Sequence, residues 1–85
     1  MKNLKTYVDH QNRVAKLFGG RLLDLNNAAD RQRIADSIDG ALSPENLTCD
    51  GELSRAQVNA RYRQLTAAAR ELQKLDPTVK FYEFV

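Results

Sequence analysis

Apolar residues recur three or four positions apart in three stretches of this chain, a spacing that predicts three helices. In the first, Leu4, Tyr7, Val8, Val14, Ala15 and Phe18 share one face over about Leu4–Phe18, interrupted by Gln11. Lys2, Lys5, Arg13 and Lys16 fall on the opposite side, and Gly19-Gly20 ends the helix, since glycine takes the left-handed conformation common just past a helix. In the second, Ile34, Ala35 and Ile38 form a narrow apolar face over Ala28–Ile38. Asn26-Asn27 supplies its cap, Asp30 lies near its positive dipole end, and Asp39-Gly40 closes it.

The third stretch is the longest, Arg55–Leu75. Ser54 and Gln57 stand at capping-box spacing, Leu53 and Val58 match a hydrophobic staple, and Asp76-Pro77 stops the helix because a residue before proline avoids the helical region. Val58, Tyr62, Leu65, Ala69 and Leu72 form a seam of coiled-coil type, too short to stand alone as a coiled coil. Between the second and third helices, Ser43-Pro44-Glu45 signals a single helical turn through Leu47, and Asp50-Gly51 a tight turn. Leu42, Leu47 and Leu53 are expected to pin this capped loop to the core.

Two segments lack helical periodicity. Arg21–Leu25 reads either as a linker turn or as a short strand. The tail Val79–Val85 is β-branched and aromatic, and so extended. It either pairs with Arg21–Leu25 as a two-stranded patch or lays its Phe residues across the helices. The fold class is therefore mainly α: one small three-helix domain with a capped inter-helix loop and an extended C-terminal tail.

Charge adds a pattern that the net value of +2 conceals. Met1–Leu23 carries five Lys/Arg against one acid, Asp24–Leu53 two Arg against seven acids, and Ser54–Val85 six Lys/Arg against three acids. An acidic middle between basic ends is expected to pair with them on folding. Cys49 is the only cysteine, so no internal disulfide forms, as suits a reducing compartment. Met1 leads into no apolar signal core, and no run approaches the ~18 apolar residues of a membrane span.

Catalytic chemistry finds no footing. His10 lies beside Asp9 off the apolar face, and adjacent helix positions point apart, so no triad forms. One His and one Cys cannot supply the three or four protein ligands of a zinc site. Asp50 next to Cys49 opposes thiol ionisation, which predicts a structural, half-buried thiol. The Asp50-Gly51-Glu52 turn lacks the alternating acids of a calcium loop. No nucleotide fingerprint is present. The expectation is a protein that is not an enzyme and takes no metal and no cofactor.

A basic stripe on the third helix is the best candidate surface. At about 100° per residue, Asn59, Arg63, Thr66, Arg70 and Lys74 fall together with Arg55 at the edge. Such a stripe meets an acidic protein patch or phosphates, or else pairs internally with Asp30, Asp36 or Asp39. The aromatic tail, Phe81, Tyr82 and Phe84, is a second candidate contact. Sequence-specific DNA readout fits poorly. The segment Asp39–Leu53 that separates the second and third helices is far longer than a helix-turn-helix turn. Ala56, Ala60 and Ala67, on the far side from the seam, either raise helix propensity at a surface or admit self-association.

The run from Leu42 to Ser54, Leu-Ser-Pro-Glu-Asn-Leu-Thr-Cys-Asp-Gly-Glu-Leu-Ser, followed by Val-Asn-Ala-Arg-Tyr-Arg-Gln-Leu, resembles small uncharacterised proteins encoded by tailed bacteriophages. The resemblance covers roughly the second half of the chain. It implies a bacterial host cytoplasm and an accessory or host-directed role exerted by binding. The leading expectation is engagement of a host protein through Arg55, Asn59, Arg63, Arg70 and Lys74. The alternative is nucleic acid or a small anionic nucleotide held by the same Arg residues, at a homodimer interface. Neither involves a membrane.

Overall fold

Helix α4 spans Arg55–Leu75 and organises the molecule. The computed structural model describes residues 1–84. Ser54 caps α4 as its sequence demands: the Gln57 amide donates to the Ser54 hydroxyl at 3.2 Å and the Ser54 amide donates to the Gln57 side chain at 2.8 Å. Leu65, Ala68, Ala69 and Leu72 are buried along its inner face. α1 (Lys2–Leu17) and α2 (Ala28–Leu42) both pack on α4, and the one-turn α3 (Pro44–Leu47) fills the loop before it. The described residues contain no strand. Leu4 and Val8 of α1, Ile34, Ala35, Ile38 and Leu42 of α2, and Val79 of the tail complete the core.

α1 ends where its glycines dictate. Gly19 has φ +69°. The Gly20 amide donates to the Ala15 carbonyl at 2.7 Å and the Gly19 amide to Lys16, which closes the last turn in a Schellman arrangement. Its start carries no side-chain cap of its own. The Glu71 carboxylate of α4 takes that place, accepting from the Asn3 and Leu4 amides at 3.1 and 3.3 Å. Burial pushes the Glu71 carboxyl up, but these bonds and the N-terminal ammonium outweigh it and hold it below its ordinary value.

Three expectations for the helices need correction. The α1 face was expected to bury Val14 and Phe18, yet Phe18 is 84% exposed and Val14 is exposed beside it. Only the first two turns of α1 lie over the core, and the rest overhangs. α2 does not close at Asp39-Gly40 but runs on to Leu42. Ile38 and Leu42 are both buried, and the next turn up to the true stop at Ser43-Pro44 follows from that i, i+4 pair. The seam of α4 loses Tyr62, which is 52% exposed, and gains Thr66, which is 3% exposed. The Thr66 hydroxyl satisfies itself on the Tyr62 carbonyl at 2.9 Å.

The two non-helical segments do not pair with each other. Each is held instead by a helix side chain that mimics a strand partner. Asn12 exchanges two bonds with the Leu23 backbone, donating to its carbonyl at 3.0 Å and accepting from its amide at 2.8 Å. Gln32 does the same for Lys80, with both bonds at 3.0 Å. Two turns further along the same face, Asp39 accepts from the amides of Tyr82, Glu83 and Phe84 at 2.8, 3.2 and 3.3 Å. The tail is laid on α2 rather than paired as a strand, and it bends at Tyr82 and Glu83, a departure from the extended segment expected, with Phe81 and Phe84 packed against the core. Val85, the last residue of the expected strand, lies outside the described residues.

Asp30 ties the linker to α2. It is buried and accepts from the Asp24 amide at 3.0 Å, from Arg21 at 2.8 Å and from Arg33 at 2.7 Å. The Asp24 amide, foremost, and then the two guanidiniums hold its carboxyl below the usual range against the cost of burial. The Asp76 carboxylate, at the end of α4, is likewise lowered by the Thr78 hydroxyl and amide, and Arg31 stands 3.5 Å from it. The loop after α3 is wound left-handed over three residues: Cys49 (φ 49°), Asp50 (φ 57°) and Gly51 (φ 84°). This turn lifts Cys49 into solvent, so the expected half-buried thiol is exposed.

Candidate functional site

The expected stripe survives as one exposed surface. Arg55, Asn59, Arg63, Arg70 and Lys74 are all exposed on α4. Thr66 drops out of it as a buried residue. Among the described residues none of these cations forms an ion pair: the acids expected to neutralise them are engaged elsewhere. Asp30 is taken by Arg21 and Arg33, Asp39 by the tail amides, and Asp36 accepts from Gln32 at 3.0 Å. The acidic middle therefore neutralises only part of the first basic third, through Arg21, and leaves the α4 face positive.

The stripe and the tail, read from sequence as two separate contacts, meet. The Arg70 guanidinium lies 5.7 Å from the centre of the Phe84 ring, within cation–π range. Phe84 in turn meets Phe81 edge-to-face, with ring centres 5.5 Å apart and planes at 72°. A hollow of about 600 Å³ opens at this junction, lined by Tyr62, Arg70, Gln73, Glu83 and Phe84 among others. Tyr82 points away from the core and is 79% exposed. The tail aromatics thus divide by role: Phe81 and Phe84 pack inward, and Tyr82 remains available for contact.

The sequence reading passed over a second basic position. Arg61 sits between Val58 and Leu65 at seam spacing, a cation where the apolar pattern calls for a core residue. That placement was the available signal. Arg61 is half-buried, and its Nε has no hydrogen-bond partner. It lines a cavity between α1 and α4 together with Tyr7, His10 and Arg13. Tyr7 shares a hydrogen bond with Ser37 of α2. Burial pushes its hydroxyl above the ordinary value, against the opposing pulls of that bond and of the Arg61 guanidinium. His10, expected to face solvent, is exposed at the rim.

No group of three or more His, Cys, Asp or Glu residues among those described could hold a metal ion, and no described helix is long and apolar enough to cross a membrane. Ala56 and Ala60 are exposed and Ala67 is half-buried. No family model, no curated protein and no solved structure matches the chain.

Proposed function

We propose that this chain is a non-enzymatic binding protein that engages an acidic surface of a partner protein through the basic face of α4 and the adjoining tail. One observation carries the reading. Arg55, Arg63, Arg70 and Lys74 present four exposed cations on one helix face, none of them in an ion pair among the described residues, beside the exposed rings of Tyr62 and Tyr82. Arg and Tyr are the residue types that carry much of the energy of protein interfaces. A guanidinium fork matches a carboxylate bidentately, and Lys would not substitute fully. The resemblance of the second half to phage-encoded proteins supports a partner in a bacterial host cytoplasm.

The test is capture of the partner from bacterial lysate, with and without nuclease, by the parent chain and by Arg63→Glu. Arg63 makes no ion pair among the described residues, so charge reversal there changes the unfolding free energy by no more than the ~1 kcal/mol typical of exposed charges. Specific, nuclease-resistant capture that Arg63→Glu abolishes supports the reading. Capture that disappears with nuclease transfers the surface to nucleic acid. The four cations then set a slope of log affinity against log salt no steeper than about −4 per protomer. Capture unaffected by Arg63→Glu and by Arg70→Glu removes α4 as the contact.

A further inference from the structure

On the side of α4 turned away from the stripe, a cavity of about 450 Å³ lies between α1 and α4, in the size range of small-ligand sites. Arg61 is two residues from Arg63, so the two project about 200° apart around the helix and serve different surfaces. The cavity is lined by Arg13, Arg61, His10, Tyr7, Gln11 and Gln64 among others, with no Asp or Glu among its lining residues. Neither Arg13 nor Arg61 forms an ion pair among the described residues.

A guanidinium N–H shut away from water without an acceptor is unfavourable, and the Arg61 Nε is in that state. Its neighbours do not relieve it. The Tyr7 hydroxyl bonds Ser37, and none of the lining oxygens of Thr6, Gln11 or Gln64 makes a hydrogen bond to the Arg61 Nε. What the site lacks is an anion. One carboxylate saturates a single guanidinium fork. Two guanidiniums and an imidazole lining one cavity from two helices call for more acceptor oxygens and more charge, which a phosphate group supplies. The volume beyond the phosphate admits an attached organic group.

We propose that the α1–α4 cavity binds a small phosphate-bearing molecule, with Arg61 and Arg13 as the principal anion contacts and His10 and Gln64 as further donors. Binding would balance the charge of the two unpaired guanidiniums and bridge the two helices. The site is independent of the α4 stripe and of any partner docked there.

The experiment titrates the full chain, labelled with nitrogen-15, with inorganic phosphate and separately with adenosine 5′-monophosphate, in constant chloride. The expected result is saturable binding with a dissociation constant of about 1 mM or tighter, accompanied by a shift of the Arg61 Nε–H resonance. Arg61→Gln should weaken it about tenfold or more, the scale of losing a charge-assisted contact, while Lys16→Gln, on the exposed outer part of α1, should not. Tighter binding of the monophosphate than of phosphate identifies the organic group as part of the ligand; equal binding identifies phosphate itself. Should Arg61→Gln fail to fold, Arg13→Gln and His10→Ala, at exposed positions, carry the same expectation. No saturation with either probe, an unmoved Arg61 signal, or equal losses in the Lys16 and Arg61 variants would overturn the proposal.

Discussion

The Asp39 carboxylate on α2 accepts the backbone amide of Tyr82 at 2.8 Å, across forty-three residues of sequence. It accepts the next two amides as well, so one acid near the end of α2 gathers three consecutive amides of the tail. Asp39→Ala should therefore release residues 82–84. The freed amides are near the surface and recover water, which limits the cost to about 1–2 kcal/mol, the net value of charge-assisted bonds. Chymotryptic cleavage at Phe81 or Tyr82 should accelerate at least as much as global unfolding does. Tail cleavage no faster than in the parent would mean that Phe81 and Phe84 hold the segment by packing alone.

Acid should weaken the fold through a defined set of carboxyls. Asp30, Glu71 and Asp76 are all held below their ordinary values in the folded protein. Unfolded, they take up protons near pH 4. The unfolded state thus binds more protons in that range, so their contribution is complete above it and lost as pH falls through the folded values. The melting temperature should be flat near neutrality and decline below about pH 4.5. Asp30→Asn should lower stability at pH 7 and flatten the acid limb. An unchanged limb would place the acid sensitivity in other groups.

Ser54→Ala removes the acceptor of the Gln57 amide at the head of α4 and should cost about 0.5–2 kcal/mol. Chemical denaturation midpoints report the loss. A midpoint equal to the parent's would mean that water caps this exposed terminus as well as serine does.

Cys49 carries a left-handed backbone that side chains with a Cβ adopt at a cost of roughly 1–2 kcal/mol. Its side chain is exposed and its sulfur reaches only the Asn46 carbonyl, at 3.8 Å. Cys49→Gly should raise stability by up to about 1 kcal/mol, part of the gain being returned through the more flexible unfolded chain. A destabilised variant would show that the thiol makes a contribution its contacts do not reveal.

How much could be read in advance depended on whether the signal was local. The bounds of α4 follow from Ser54, Gln57 and Pro77, each acting within a turn, and they emerge as the sequence implies. The cap at Asn27 is equally local: its side chain accepts from the Asp30 amide at 3.0 Å. The end of α2 was misjudged because Asp39-Gly40 looks like a stop, whereas Ile38 and Leu42 need the extra turn to reach the core. Periodicity marked Val14 and Phe18 as one face but carried no information on how far the core extends under α1. The tail's pairing with Gln32 and Asp39 was beyond reach, since nothing in a helical pattern tells which polar side chain will meet a distant backbone. The stripe was legible from spacing alone. The cavity around Arg61 was not, because half of it belongs to α1.

The borrowed cap at the head of α1 sets an order of disassembly. α4 carries its own capping box and five buried residues, whereas α1 buries two and depends on Glu71 for the acceptor of its first amides. Losing α4 strips α1 of its support, but α1 can swing away and leave the caps of α4 untouched. Native-state hydrogen exchange should then resolve two tiers: α1 amides opening as a sub-global unit at lower free energy, and the inner turns of α4 exchanging only with complete unfolding. Such a pattern would make the first helix a hinged arm on a sturdier frame.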